Sequence, residues 1–167
     1  MPLAHPALEI DAPVLTADLH PTLLELAGLS PQEGGTDGRS LLPWMQAGTG
    51  GERVICGEYG SGYGTAFATD ARLKYVYYAR GGVEHLFDVV NDPDNLHNLS
   101  HDAQCDAEKG RLKAAAIAYL GRFERPMVRD GELVALDPDL DEYALRGRNP
   151  CAWRGPMRYG QGYGGGW

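Results

Sequence analysis

The sequence predicts an α+β fold: a small four-stranded antiparallel sheet packed by one long helix, preceded by a short helix and followed by a tail rich in Gly, Arg and aromatic residues. Three observations predict it. Four short runs of β-forming residues lie close together between positions 54 and 89, separated by Gly-rich or turn-forming stretches. One long run of helical periodicity follows, at about residues 103–123. Its apolar residues share one face, which suits a helix laid across a sheet.

Taken in order, residues 1–17 read as an extended lead-in, because Pro2, Pro6 and Pro13 discourage helix. Residues 16–28 predict the short helix. Thr16 or Asp18 can cap its start, Pro21 suits a first turn, and Gly28 supplies the stop. Leu19, Leu23 and Leu26 fall on one face, which the periodicity marks as the buried side. Residues 30–39 form a loop, and Ser40 precedes a single helical turn at residues 41–45 that Gly48 ends.

The strands are expected at residues 54–58, 65–69, 73–78 and 84–89, with a Gly-rich linker at 60–64 and a turn at 80–83. In the third strand Leu73, Tyr75 and Tyr77 share one face, and Lys74, Val76 and Tyr78 share the other. Both faces carry apolar bulk, so one suits a helix and the other a neighbouring domain. Residues 91–95, Asn-Asp-Pro-Asp-Asn, are a turn, and 96–99 a short anchor. In the long helix Leu112, Ala115, Ala116, Tyr119, Leu120 and Phe123 recur at helical spacing. Beyond Pro126 a short strand is expected at 132–136 and an acidic turn at 137–142, while residues 155–167 show no regular period.

Composition narrows the function. The 167 residues suffice for one domain with a real core. Fifteen basic residues against 23 acidic ones give a net charge of -8, which argues against a nucleic-acid partner, since that needs a cationic face. No apolar run approaches the roughly 20 residues of a membrane span, so no membrane partner is expected. The N-terminus lacks the basic start and apolar stretch of a signal peptide. Cys56, Cys105 and Cys151 form no CxxC pair and are odd in number, so free or buried thiols are expected.

Three segments carry a resemblance. Residues 17–28, Ala-Asp-Leu-His-Pro-Thr-Leu-Leu-Glu-Leu-Ala-Gly, resemble a D-x-x-P-T-L-L-x-x-A-G helix. Residues 37–43, Asp-Gly-Arg-Ser-Leu-Leu-Pro, resemble a G-x-S-L-x-P element. Residues 74–78 (Lys-Tyr-Val-Tyr-Tyr), 84–88 (Glu-His-Leu-Phe-Asp) and 91–99 resemble K-Y-x-x-Y, E-L-F/Y-D-L and D-P-x-E-x-x-N-L, with Asn95 standing where Glu is usual. In this order and spacing, over about residues 14–100, they resemble the C-terminal portion of the sulfatase family, within the alkaline-phosphatase-like superfamily. The likeness is to the C-terminal subdomain of the arylsulfatases and N-sulfoglucosamine sulfohydrolases.

The resemblance implies a sulfuric ester hydrolase as parent. Such an enzyme uses a formylglycine made from the Cys of Cys-x-Pro-x-Arg and a calcium ion held by acidic and amide side chains, to activate a nucleophile and neutralise sulfate charge. Cys56 is followed by Gly-Glu-Tyr-Gly, Cys105 by Asp-Ala-Glu-Lys and Cys151 by Ala-Trp-Arg-Gly, so none sits in that motif. The metal-site aspartates are missing too. No catalytic residue, metal ligand or cofactor is therefore expected here; both formylglycine and calcium belong to a part of the parent enzyme that this chain lacks. The expected partner is that missing catalytic domain. Residues 1–50 would be the end of it, 51–125 the C-terminal subdomain and 126–167 an extension. Without that domain, the Leu face of the first helix is expected to be exposed. The parent's substrate would be a sulfated carbohydrate or an aryl sulfate ester. Members of the family are often periplasmic or secreted.

Other candidate residues have plainer readings. His20 suits a capping or solvent-facing place, and His85 suits packing beside Phe87. His97 and His101 have the spacing of a helical metal pair but lie at a turn with no third ligand. Lys74 reads as a solvated strand lysine, and Asp92 and Asp94 as turn stabilisers beside Asp88. From residue 143 to 167 there is no Asp or Glu. Arg146, Arg148, Arg154 and Arg158 interleave there with Trp153, Tyr159 and Tyr163. Arg pairs with oxyanions and aromatic rings stack on sugars, so Arg146, Arg148, Trp153, Arg154 and Arg158 are the candidate substrate-binding residues. The plain alternative is a Gly-rich tail without a ligand. A second function class follows: a stand-alone accessory module that binds anionic glycans through this tail.

Overall fold

A computed structural model describes residues 9–30, 37–59 and 64–137. Four strands form one antiparallel sheet in sequence order: β1 (Ile55–Tyr59), β2 (Thr65–Thr69), β3 (Leu73–Tyr78) and β4 (Val83–Asp88). Two short helices precede it, α1 (Leu19–Leu26) and α2 (Leu42–Ala47), and one long helix follows, α3 (Asp106–Leu120).

Register explains the core. Tyr75 stands opposite Ala68 on β2 and Leu86 on β4, and Tyr77 opposite Ala66 and Glu84. Small alanines on β2 leave room for the large rings of β3. Leu73, Tyr75, Tyr77, Ala66, Ala68 and Leu86 thus make one buried inner face. Leu112, Ala116 and Leu120 of α3 close over it, and Met127 seals the end. These three helix residues are spaced by four, so one stripe of α3 faces the sheet. Charges at the rim tie the layers together: Lys113 of α3 reaches Glu84 at 2.6 Å, and Arg111 pairs with Asp70.

Small differences from the sequence expectations have local causes. The predicted 103–123 helix opens as a single 3-10 turn, Ala103–Cys105, where the Asp102 carboxylate accepts the Gln104 N–H. It ends at Leu120, before Gly121. Phe123 keeps the helical apolar spacing because it packs edge-on against Tyr119, with centroids 5.5 Å apart, from a turn rather than from the helix. The first strand starts one residue later than expected, and Val54 still packs on the core. Of the strand expected at 132–136, only Glu132–Leu133 (β6) forms. It pairs with Val128–Arg129 (β5), across a turn in which Asp130 and Gly131 both have positive φ. Leu136 instead makes an isolated parallel bridge to Arg80. The 137–142 turn lies outside the described residues after Asp137.

The turns follow side-chain chemistry. Gly81 and Gly82 both have positive φ between β3 and β4, as the predicted turn requires. After β4 the Asp88 carboxylate accepts the Val90 and Asn91 N–H groups, and Asp92 accepts those of Leu96 and His97. Asn98 Oδ1 then accepts the Leu86 N–H, and the Leu99 N–H donates to the Leu86 carbonyl, so residues 98–99 cover the edge of β4. Among the described residues no helix is long and apolar enough to cross a membrane.

Candidate functional site

The site begins with Asp18. Residues Thr16–Asp18 form one 3-10 turn that runs into α1. Asp18 stands where a cap residue stands, but its side chain does not cap α1. It turns inward and is fully buried. Its Oδ2 accepts the Leu15 N–H at 2.7 Å and Arg53 Nη1 at 2.7 Å. Its Oδ1 accepts the Arg39 N–H at 2.8 Å and Arg53 Nη2 at 3.0 Å. Arg53 precedes β1 and is itself buried, so this is a two-pronged buried ion pair with its remaining lone pairs met by backbone donors. The expectation that Asp18 caps the helix is corrected accordingly. Thr22, one turn on, donates to the Asp18 carbonyl at 2.6 Å and accepts the Leu41 N–H at 2.9 Å. Together these bonds fix α1 and the 39–41 stretch to the foot of the sheet.

Burial alone would raise the Asp18 pKa. The Arg53 hydrogen bonds, the Leu15 and Arg39 N–H groups and the Arg53 charge outweigh it and hold the carboxyl at about 2. Because the folded value lies below the unfolded one, the linked stability is present above the ordinary carboxylate range and is lost as pH falls towards 2. From a shift of this size, about 2 kcal/mol of stability should disappear between roughly pH 5 and pH 2. Urea unfolding across that window checks this; Asp18→Asn should flatten the slope, and an unchanged slope in that variant would contradict the assignment.

The polar ties determine which side of α1 faces inward. Its buried residues are Pro21 and Thr22. Leu19, Leu23 and Leu26 are 56%, 63% and 49% exposed, with Leu29 and Val14 similarly open nearby. Periodicity alone marked this face as buried; among the described residues it faces outward, as the family resemblance implied. A row of exposed leucines on a helix held in place by a buried salt bridge is a rigid apolar surface.

The other candidates separate clearly. His20, His97 and His101 are exposed, and His97 lies 3.6 Å from Asp92. His85 packs edge-on between Tyr78 and Phe87. Lys74, expected to be solvated, lies over the Phe87 ring at 5.6 Å. Cys56 packs against the core, and burial pushes its thiol pKa up, the opposite of an activated nucleophile. Among the described residues no three His, Cys, Asp or Glu side chains gather as a ligand set. The described residues therefore offer no donor set that fits calcium. Arg146, Arg148, Trp153, Arg154 and Arg158 lie outside the described residues.

No family model matches the chain. It is 36% identical over 107 residues to a choline-sulfatase of Rhizobium meliloti, covering 61% of this chain and 20% of that protein. It is 34% identical over 105 residues to arylsulfatase K of Danio rerio, covering 56% of this chain and 18% of that one. Among solved structures it is similar to a 2-O GAG sulfatase, at 28% identity and a TM-score of 0.50, covering 63% of this chain and 24% of that one. The chain thus spans about a fifth of the length of the curated relatives it matches.

Proposed function

We propose that this chain, a counterpart of the C-terminal portion of the sulfatase family, buttresses a sulfatase catalytic domain and lines its substrate cleft, and that it cleaves no ester by itself. The observation that carries the buttress role is the leucine face of α1, exposed in this chain yet held rigidly by the Asp18–Arg53 pair. A rigid apolar surface of this kind gains stability when a partner covers it. The catalytic portion of a sulfatase, with its calcium and formylglycine, is the partner proposed. Sulfated carbohydrate is the substrate class proposed for the whole enzyme, a class that the name of the 2-O GAG sulfatase supports. Residues 146–158, with their arginines and Trp153, are proposed to add contacts to that anionic substrate.

A chimera tests this. The segment of the Rhizobium meliloti choline-sulfatase that matches this chain is replaced by the matching 107 residues from here. The chimera should fold and hydrolyse choline sulfate, while the isolated chain should not. A folded but inactive chimera, or ester hydrolysis by the isolated chain, would contradict the proposal. Ligand binding that persists in the isolated chain and vanishes without residues 146–167 would favour a stand-alone glycan-binding module instead.

A further inference from the structure

The inner face of the sheet is covered by α3, and among the described elements only α3 packs broadly on the sheet. Register sorts the outer face into rows. Ile55, Thr69, Lys74 and Phe87 form one, Gly57, Phe67, Val76 and His85 the next, and Tyr59, Thr65, Tyr78 and Val83 the last. Lys74 is the one residue in these rows that carries a charge with histidine neutral. The first two rows have a filled floor. Phe87 and Val76 are each 8% exposed, and the Phe67 ring lies over Gly57, where an added Cβ would come within 2.6 Å of it. The last row stays open, with Tyr59 72%, Tyr78 40% and Val83 47% exposed. An open apolar row beside a firm floor suits an apolar cover.

The chain itself comes to that row. Leu136 bridges to Arg80 in the β3–β4 turn: its N–H donates to the Ala79 carbonyl at 2.7 Å, and its carbonyl accepts the Gly81 N–H at 3.1 Å. Ala79 follows Tyr78 directly, and the turn leads into Val83. Residues 138–167 lie beyond this point and outside the described residues. Fully extended, 138–158 alone reach about 70 Å, against an outer face of roughly 15 by 20 Å. Although 155–167 has no regular apolar period, glycine stands at every second position from 160 to 166. In an extended stretch Tyr159, Gln161, Tyr163 and Trp167 would point to one side, leaving only glycine on the other. The aromatic residues are four apart. That is about 13 Å when extended, close to the roughly 14 Å across the four strands of the open row. No side chain from 159 to 167 is charged, as none is in the open row.

We propose that residues 159–167 of this same chain dock on the open row, with the rings of Tyr159, Tyr163 and Trp167 against Tyr59, Tyr78 and Val83. Each aromatic side chain can bury about 150–250 Å², so this short segment suffices to cover the row. A second copy fits less well. A face of about 300 Å² is far below the roughly 800 Å² that each partner of a stable complex buries. A tethered segment has an effective concentration in the millimolar range, so weak contacts are enough to hold it. The contact uses neither the leucines of α1 nor the tail arginines, so it stands apart from the sulfatase reading.

The test compares amide NMR spectra of the full 167-residue chain and of a chain ending at Arg158. Removing 159–167 should shift the amides of residues 57–59, 65–67, 76–78 and 83–85. Those of 112–120 in α3 should stay in place, which also shows that the shortened chain folds. In the full chain the Tyr163 and Trp167 ring protons should show nuclear Overhauser contacts to the Val83 methyls and the Tyr78 ring. The double variant Tyr163→Ser, Trp167→Ser should reproduce the spectrum of the shortened chain. The peptide Tyr-Gly-Gln-Gly-Tyr-Gly-Gly-Gly-Trp, added to the shortened chain, should shift the same amides with a dissociation constant on the order of 1 mM. No shifts on removal, or shifts centred on residues 19–29, would overturn the proposal. Contacts of the full chain that vanish on dilution would place a second copy on the face instead. A face indifferent to removal of 159–167, yet shifted by the choline-sulfatase lacking its matched segment, would assign it to that partner and equally overturn the proposal.

Discussion

Replacing Arg53 by Met should destabilise the folded chain by about 3–5 kcal/mol, because it leaves the Asp18 carboxylate buried without its counter-charge. Only the Leu15 and Arg39 N–H groups would remain to it. A domain of this size is held by about 5–15 kcal/mol in all, so the loss is a large share. In thermal unfolding it should appear as a fall of roughly 10–20 °C. The double variant Asp18→Asn, Arg53→Met removes the stranded charge and keeps one amide oxygen, which can serve one of the two backbone N–H groups that now use separate carboxylate oxygens. It should recover a substantial part of the loss, which a double-mutant cycle measures directly. A cost below about 1 kcal/mol for Arg53→Met would show that the pair does not hold the helix as described.

The second large effect concerns association. Leu23 is 63% exposed and makes no part of the core, so Leu23→Glu should leave the melting temperature nearly unchanged. The isolated chain, by contrast, should self-associate through the leucine face. Burying one leucine side chain contributes about 1.5–3 kcal/mol, and a buried carboxylate reverses it. Self-association should therefore weaken by more than about a hundredfold, since each 1.4 kcal/mol is tenfold. Sedimentation at several concentrations checks this. Equal self-association of the variant would move the apolar contact away from α1.

The sheet and long helix were legible because their signals are local. Strand period, the paired glycines 81 and 82, and the fourfold spacing of Leu112, Ala116 and Leu120 each lie within one element. The division of β3 into a Tyr75 face and a Tyr78 face also follows from period alone. The Asp18–Arg53 pair was not legible. Its partners stand 35 residues apart, and nothing near Asp18 distinguishes a buried acid from an ordinary helix cap. The leucine face of α1 misled for a related reason. Periodicity reports that a face is apolar, not whether this chain contains what covers it. His85 read as a packing residue, which it is, edge-on between Tyr78 and Phe87. The tail arginines drew notice by composition alone, which carries no geometry.

The central claim is that α1 offers a preformed surface for a sulfatase catalytic portion. The most direct measurement mixes this chain with the Rhizobium meliloti choline-sulfatase lacking its matched segment and follows complex formation by sedimentation velocity. A one-to-one complex should form with the unmodified chain and be lost with Leu19→Glu, Leu23→Glu. Absence of any complex, or a complex indifferent to those two leucines, would contradict the account.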